Sequence, residues 1–239
     1  MKNKEKKIRE WMLRLVYPHT CPFCGRVTKD EVCFSCRETV YKIQEPFCRK
    51  CGKPLSDEAK EYCGDCEQKR HWFDQGRALW LHEKKVLWSV YQFKFRNRRI
   101  YGRYYASELA EEYGELMKKW QIALLVPVPL NSRKKRTRGY NQAEILARCL
   151  SEKLGIPADG KSLVRSRDTK PQMTLDPVLR RENVRGAFVW KGGSLDGKNI
   201  LLLDDIYTTG STIDSASREL KKAGAQKVYF LTISIGQGN

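Results

Sequence analysis

Residues 201–212 read Leu-Leu-Leu-Asp-Asp-Ile-Tyr-Thr-Thr-Gly-Ser-Thr. Three apolar residues run into two carboxylates, and a hydroxyl-rich turn around one glycine follows. Asp204 and Asp205 are acceptors suited to sugar hydroxyls or to a hydrated Mg²⁺. Thr208, Thr209, Gly210, Ser211 and Thr212 stand where a helical pattern begins. Helix N-termini expose unpaired N–H groups at the positive end of the dipole, so this turn can hold a phosphate. The plain alternative is a strand–turn–helix capped by Thr and Ser. It leaves two adjacent acids and four hydroxyls around one glycine without a task.

A second constellation is made of cysteines. Cys21/Cys24, Cys33/Cys36, Cys48/Cys51 and Cys63/Cys66 are four C-x-x-C pairs, and the first and third are followed by Gly25 and Gly52. A C-x-x-C turn aims two sulfurs at one point, and glycine allows the bend behind it. A tetrahedral Cys₄ site needs two such turns, so eight thiolates imply two structural Zn²⁺ ions. The repeat favours sequential pairing, Cys21, Cys24, Cys33 and Cys36 on one ion and Cys48, Cys51, Cys63 and Cys66 on the other. A cross-braced pairing stays open. A reducing compartment disfavours disulfides, and the regular knuckles favour zinc over an iron–sulfur cluster. Four thiolates leave no open position for catalysis. Cys149 lies among apolar positions and reads as core.

The third feature is charge. Forty-six basic and 28 acidic residues give a net charge of +18, an excess that survives the negative charge of two zinc–tetrathiolate sites. Such an excess points to a polyanion, nucleic acid ahead of an anionic membrane. It is densest at Arg133, Lys134, Lys135, Arg136 and Arg138, in an expected loop after a buried strand. The run can neutralise pyrophosphate or grip a nucleic-acid backbone, or be a plain solvated loop, although so dense a cluster repels itself without an anion. Over residues 71–100, Trp72, Phe73, Trp80, Trp88, Tyr91, Phe93 and Phe95 are interleaved with Lys84, Lys85, Lys94, Arg96, Arg98 and Arg99, and residues 90–96 alternate apolar with polar through part of their length. This segment reads either as a stacking platform for single-stranded nucleic acid or as a strand whose aromatics are core.

The elements that would position these groups follow from periodicity. Ile8, Trp11, Met12, Leu15 and Val16 make residues 1–18 a basic amphipathic helix, to pack on the next module or on a membrane or partner. Residues 19–70 form the double zinc ribbon and residues 71–239 the larger domain. Helices are expected over 101–120, 142–154 and 177–184, and from residue 213 to near Gly224. Strands are expected over 122–126, 187–190, 201–203 and 227–233. The alternation over 100–233 is that of an α/β doubly wound parallel sheet. Residues 201–203 suit a strand buried on both faces, with the acids where it leaves the sheet. No run approaches the ~20 apolar residues that span a bilayer, and no apolar leader is visible. A cytoplasmic protein is the expectation.

The 201–212 motif resembles the phosphoribosyl pyrophosphate (PRPP) motif of type I phosphoribosyltransferases. That resemblance implies that Thr208–Thr212 hold the 5′-phosphate and that Asp204 and Asp205, the candidate catalytic pair, face the ribose hydroxyls. It also implies that the segment after the first core strand, with Val128 and Pro129, meets pyrophosphate, with Mg²⁺ on the diphosphate. Residues 162–175, with Arg165, Arg167, Lys170 and Gln172, resemble the mobile hood over PRPP. Paired knuckles, Val126-Pro127-Val128-Pro129, Arg138-Gly139-Tyr140-Asn141-Gln142 and the Asp204–Thr212 motif, in that order, resemble the ComF family of late competence proteins.

The resemblance implies a part in taking up transforming DNA, with single-stranded DNA and a PRPP-like ribose phosphate as ligands. It implies a competence helicase as partner, at the inner face of the membrane with the uptake machinery. Lys94, Arg96, Arg98, Arg99 and the 133–138 cluster are the candidate nucleic-acid residues. The competing expectations are an active PRPP-dependent phosphoribosyltransferase of base or amine metabolism, and a zinc-ribbon adaptor with a degenerate enzyme domain.

Overall fold

A computed structural model of the chain describes residues 19–166 and 186–237. The expected helix over 1–18, the hood beyond Ser166 and the short helix over 177–184 lie outside the described residues.

Each ribbon is built the same way. Cys21 and Cys48 open a knuckle in which the N–H of Gly25 and of Gly52 donates to the opening cysteine's carbonyl at 2.9 Å. Both glycines have φ near +75°, where a side chain is strained. The second pair of each ribbon begins a short helix, α1 (Phe34–Arg37) after Cys33 and α2 (Gly64–Gln68) after Cys63.

Next come β1 (Gln75–Leu81), α3 (Lys84–Phe95), α4 (Tyr101–Lys119) and β2 (Ile122–Pro127). They are followed by α5 (Ser132–Arg138), α6 (Gln142–Leu154), β3 (Leu163–Arg165) and β4 (Phe188–Trp190). The chain closes with β5 (Asn199–Tyr207), α7 (Ser211–Lys222) and β6 (Lys227–Ile235). Four strands form one parallel sheet in the order β1-β6-β5-β2, and β3 and β4 pair antiparallel.

The consecutive leucines of β5 are explained by cover on both faces. Leu201 and Leu203 join the apolar cluster of α3, α4 and α6, with Phe93, Leu109 and Leu146. Ile200 and Leu202 point the other way, to Ile213, Ala216 and Leu220 of α7. Alternate residues of a strand face opposite sides, so a sheet covered twice needs apolar residues at every position.

Two segments differ from the sequence expectation. Residues 84–95 form a helix, not a strand. Val86, Ser89, Val90 and Phe93 are its buried residues, a helical i, i+3, i+4, i+7 pattern. The alternation read over 90–96 came from Tyr91 and Phe95, which lie one turn apart on the exposed face with ring centroids 5.0 Å apart. Residues 132–138 are helical as well, not a loop. Asn131 caps them by accepting from Lys134 N at 2.7 Å, and Gly139 closes them at φ 74°. One strand was not expected from the sequence: β1 pairs with β6 from Gln75 to Leu81 and forms an edge of the sheet.

The ribbons straddle that edge. Ile43 N donates to Leu79 O at 2.9 Å and Gly76 N to Lys50 O at 2.8 Å. Cys21, Phe23 and Cys36 join the core on one face of the sheet, and Cys48 and Cys51 the core on the other. The zinc module therefore covers a strand edge that would otherwise offer unpaired N–H and C=O groups.

Candidate functional site

The acid pair sits where β5 loses one neighbour. The β2 ladder ends at Pro127↔Leu203, whereas pairing with β6 continues through Asp204↔Thr232 to Tyr207↔Ile235. Asp204 and Asp205 thus follow immediately after the strand leaves β2, while the other side stays in the sheet. Val128 N donates to Leu203 O at 2.9 Å, and the Asn141 amide donates to Val128 O at 3.0 Å. The segment with Val128 and Pro129 is thereby held beside the acids.

Beyond Tyr207 the chain turns into α7. Gly210, at φ 75°, is the N-cap residue, and Thr209 and Ser211 hydroxyls are 2.8 Å apart. A Cβ on Gly210 would lie 2.4 Å from Tyr207 Oη, so the left-handed turn and the close packing both demand glycine. Residues 206–213 line a concavity open to solvent, with Tyr207 packed beneath the turn. Tyr207 is buried, stacked on Phe230 with centroids 4.8 Å apart and edge-on to Phe73. Phe73 shares its apolar cluster with Cys48 and Cys51, so the second ribbon buttresses the turn.

Cations surround the acids. Lys94 Nζ lies 2.8 Å from Asp205 Oδ1, and both side chains are largely buried. Burial raises the Asp204 carboxyl to about 7, with repulsion from Asp205 adding to it, while the Asp205 N–H, Lys94 and Arg165 oppose. Burial pushes Lys134 down, and Arg165, Arg138 and Lys94 push it further. Arg138 is lowered by burial against the pull of Asp205 and Asp204. The structure therefore brings Lys94, Lys134 and Arg138 to the acids. Arg96, Arg98, Arg133, Lys135 and Arg136 are exposed. The Arg138 guanidinium lies 4.5 Å over the Phe95 ring, and Arg99 4.5 Å over Tyr140, which makes the two basic runs neighbours. Lys135 is paired with Glu144 at 2.8 Å.

Sequence reasoning missed His82 and Ser234, at the C-terminal ends of β1 and β6. His82 Nδ1 is 2.9 Å from Ser234 Oγ. Burial and the nearby Lys94 charge hold its imidazole below the ordinary value, while Asp205 opposes. Reading residues 75–81 as a strand would have placed His82 on the same edge as the acids.

The Asp204 environment makes a pH prediction. An acid whose folded pKa is raised binds more protons folded than unfolded, so stability falls as pH rises from about 4 to about 7. Asp204→Asn keeps an acceptor for the Asp205 N–H and removes the burial cost of a charge. Urea unfolding at pH 8 is expected to show the variant more stable by about 1–3 kcal/mol, with the difference gone near pH 4. A larger gap at low pH would contradict the assignment.

The cysteines form two groups, Cys21, Cys24, Cys33 and Cys36, and Cys48, Cys51, Cys63 and Cys66, each with sulfurs within 4.8 Å of one another. Cys24 and Cys33 sulfurs are 3.6 Å apart, as are Cys51 and Cys63. Four thiolates at a Zn–S distance of ~2.3 Å stand about 3.8 Å apart, so both groups fit structural zinc, with sequential pairing. Cys149 is buried in the apolar cluster, as expected of a core thiol.

Comparison with known proteins bears on both parts. Residues 12–67 match the double zinc ribbon domain family and residues 137–234 the phosphoribosyl transferase domain family. The chain is 31% identical to competence protein ComFC of Bacillus subtilis over 211 residues, 85% of this chain and 84% of that one. It is 28% identical to competence protein F of Haemophilus influenzae over 84% of this chain and 89% of that one. It is also 30% identical to DNA utilization protein YhgH of Salmonella typhimurium over 82% and 87%. Among solved structures, a purine phosphoribosyltransferase from Pyrococcus horikoshii aligns at TM-score 0.35 and 18% identity, over 55% of this chain and 86% of that one. The type I phosphoribosyltransferase-like fold rests on the family match and the parallel sheet. No described helix is long and apolar enough to cross a membrane.

Proposed function

Since this chain belongs to the ComF family of competence and DNA-utilization proteins, we propose that it handles single-stranded DNA during uptake of transforming DNA. It does so with a ribose-phosphate site in the same molecule. One observation carries this reading. The basic runs 94–99 and 133–138 meet through Arg138 and Phe95, and Lys94 joins them to Asp205 at 2.8 Å. Polyanion surface and acid pair are thus continuous.

In this reading Thr208–Thr212 take a 5′-phosphate, and Asp204 and Asp205 accept from ribose hydroxyls. Val128 and Pro129 border the diphosphate of PRPP or a similar ligand. The acids are oxygen donors of the kind Mg²⁺ takes, and the ion would neutralise a diphosphate there. The ribbons, residues 19–70, are structural and the domain over 71–239 carries both ligands. A competence helicase at the inner face of the membrane is the partner the family implies.

Binding of a fluorescent single strand across a salt series tests the first half. Affinity is expected to fall steeply with salt, by ~0.7 log units per log salt for each phosphate contact. Salt-independent binding would sink it. Calorimetry with PRPP and Mg²⁺ tests the second half. Asp204→Ala/Asp205→Ala is expected to lose a signal that wild type gives, and a silent wild type would leave the motif without its ligand.

A further inference from the structure

The aromatic residues of segment 71–100 separate into two sets. Phe73, Trp80 and Phe93 are buried in the two cores, whereas Tyr91 and Phe95 are 44% and 50% exposed. The exposed residues of α3 are Lys84, Leu87, Tyr91 and Phe95. Their spacing puts them on one face. Beyond its first residue that face is apolar and aromatic, the reverse of an ordinary outward helix face. The other sides of α3 are covered. Val86, Val90 and Phe93 join the core. Trp88 lies against Gly25 of the first ribbon, and Lys85 Nζ donates to Thr39 Oγ1 at 2.7 Å.

The stripe Leu87–Tyr91–Phe95 is about 12 Å long, and charge selects its occupant. Residues 84–107 contain seven cations and no acid. Arg133 and Arg136 are exposed on the helix whose Arg138 lies 4.5 Å over the Phe95 ring. A second copy of so basic a face repels the first. The segment at residues 2–14, with six cations and two acids, is repelled as well. A polyanion with apolar faces fits. A single strand offers both phosphates and unpaired bases, whereas duplex DNA keeps its base faces stacked on one another. The rings are also held in place. Tyr91 and Phe95 centroids are 5.0 Å apart. The Tyr140 hydroxyl donates to Phe93 O, and Gln142 Nε2 to Lys94 O at 3.4 Å, so the Arg138–Gln142 block fixes the end of α3. A platform fixed in advance loses little freedom on binding.

We propose that the Leu87–Tyr91–Phe95 face of α3 stacks the bases of a single DNA strand, with the flanking arginines on its phosphates. This deepens the function proposed above and rests on it. Leu87 extends the apolar surface for one more base or sugar. Every base has a flat face, so the platform accepts any sequence. The phosphate contacts supply a salt-dependent part of the affinity, and the rings add a part that salt does not screen.

The test is a two-way cycle on the zinc-loaded full chain. Oligodeoxythymidine and an abasic strand of equal length carry the same phosphates. Tyr91→Gln/Phe95→Gln removes the rings and keeps charge and helix propensity. Stacking of two bases predicts that wild type binds the thymidine strand at least about 30-fold tighter than the abasic one. The variant is expected to lose that difference and to keep the wild-type salt slope, which counts phosphates. Equal wild-type affinity for both strands would overturn stacking and leave salt-dependent DNA handling intact. A preference that persists in the variant would put the bases on another face and also overturn it. A variant that binds both strands like wild type but loses phosphatidylglycerol vesicles would make the face a membrane one. If it instead shifts from dimer to monomer in sedimentation, the face joins two copies. Absence of binding to either strand at low salt would overturn the function beneath as well.

Discussion

Removing the second zinc site should destabilise the whole protein. Cys48→Ser/Cys51→Ser is expected to lower zinc content from two ions to one and to lower the melting temperature by roughly 10–20 °C. Structural zinc contributes about 10–16 kcal/mol in small fingers, against about 5–15 kcal/mol that keeps an entire domain folded. Much of that loss reaches the α/β domain because the ribbon is not a separate body. Cys48 and Cys51 are fully buried in the cluster that holds Phe73, Tyr207, Phe230 and Leu202. Gly76 N and Lys50 O join the ribbon to the edge strand β1. Differential scanning calorimetry with metal analysis gives the answer. A variant that keeps the wild-type main transition, losing only a small separate one, would show that the ribbon hangs free. Tyr207 lies under the 208–212 turn, so the same variant is expected to weaken ribose 5-phosphate binding even where the domain stays folded.

Neutralising the exposed cations should weaken nucleic-acid binding strongly without harming the fold. Arg96, Arg98, Arg133 and Arg136 are exposed, so changing all four to Gln removes no buried contact. Counterion release at ~0.7 log units per phosphate predicts a loss of about 10²–10³-fold in single-strand affinity near 0.1 M salt. The slope of log affinity against log salt is expected to flatten by about 3. Lys94→Met is a different change, because it leaves Asp205 without its partner at 2.8 Å. It is expected to weaken strand binding only about five-fold, one phosphate contact's worth at this salt, and to alter ribose-phosphate binding too. Anisotropy titrations of both variants separate the two roles. Unchanged affinity in the fourfold variant would show that strands bind another face.

Much of this was legible in the chain. The Leu201–Leu203 run and the Thr-Thr-Gly turn defined a strand and a helix start, because local periodicity and turn chemistry act over a few residues. The C-x-x-C repeat announced two metal sites, because two sulfurs three residues apart can be aimed by one turn. The helix over 84–95 was misread, because exposed Tyr91 and Phe95 disguised a helical buried face as alternation. The helix over 132–138 was hidden by its charge, although Asn131 and Gly139 were its caps. The strand over 75–81 was missed, because its β6 partner lies some 150 residues on and pairing is not a local property.

The sequence by itself determined which chemistry to expect: which residue types suit phosphate, metal and polyanion, and in what order they come. Their types and short-range spacing suffice for that. Only the tertiary structure decided which of them meet. It paired the cysteines sequentially, set Lys94 on Asp205, and brought His82 to Ser234. It also seated one ribbon against each face of the sheet. The Lys94–Asp205 and His82–Ser234 contacts depend on the crossing of parallel strands and the packing of helices on both faces, where contacts join residues a hundred or more apart.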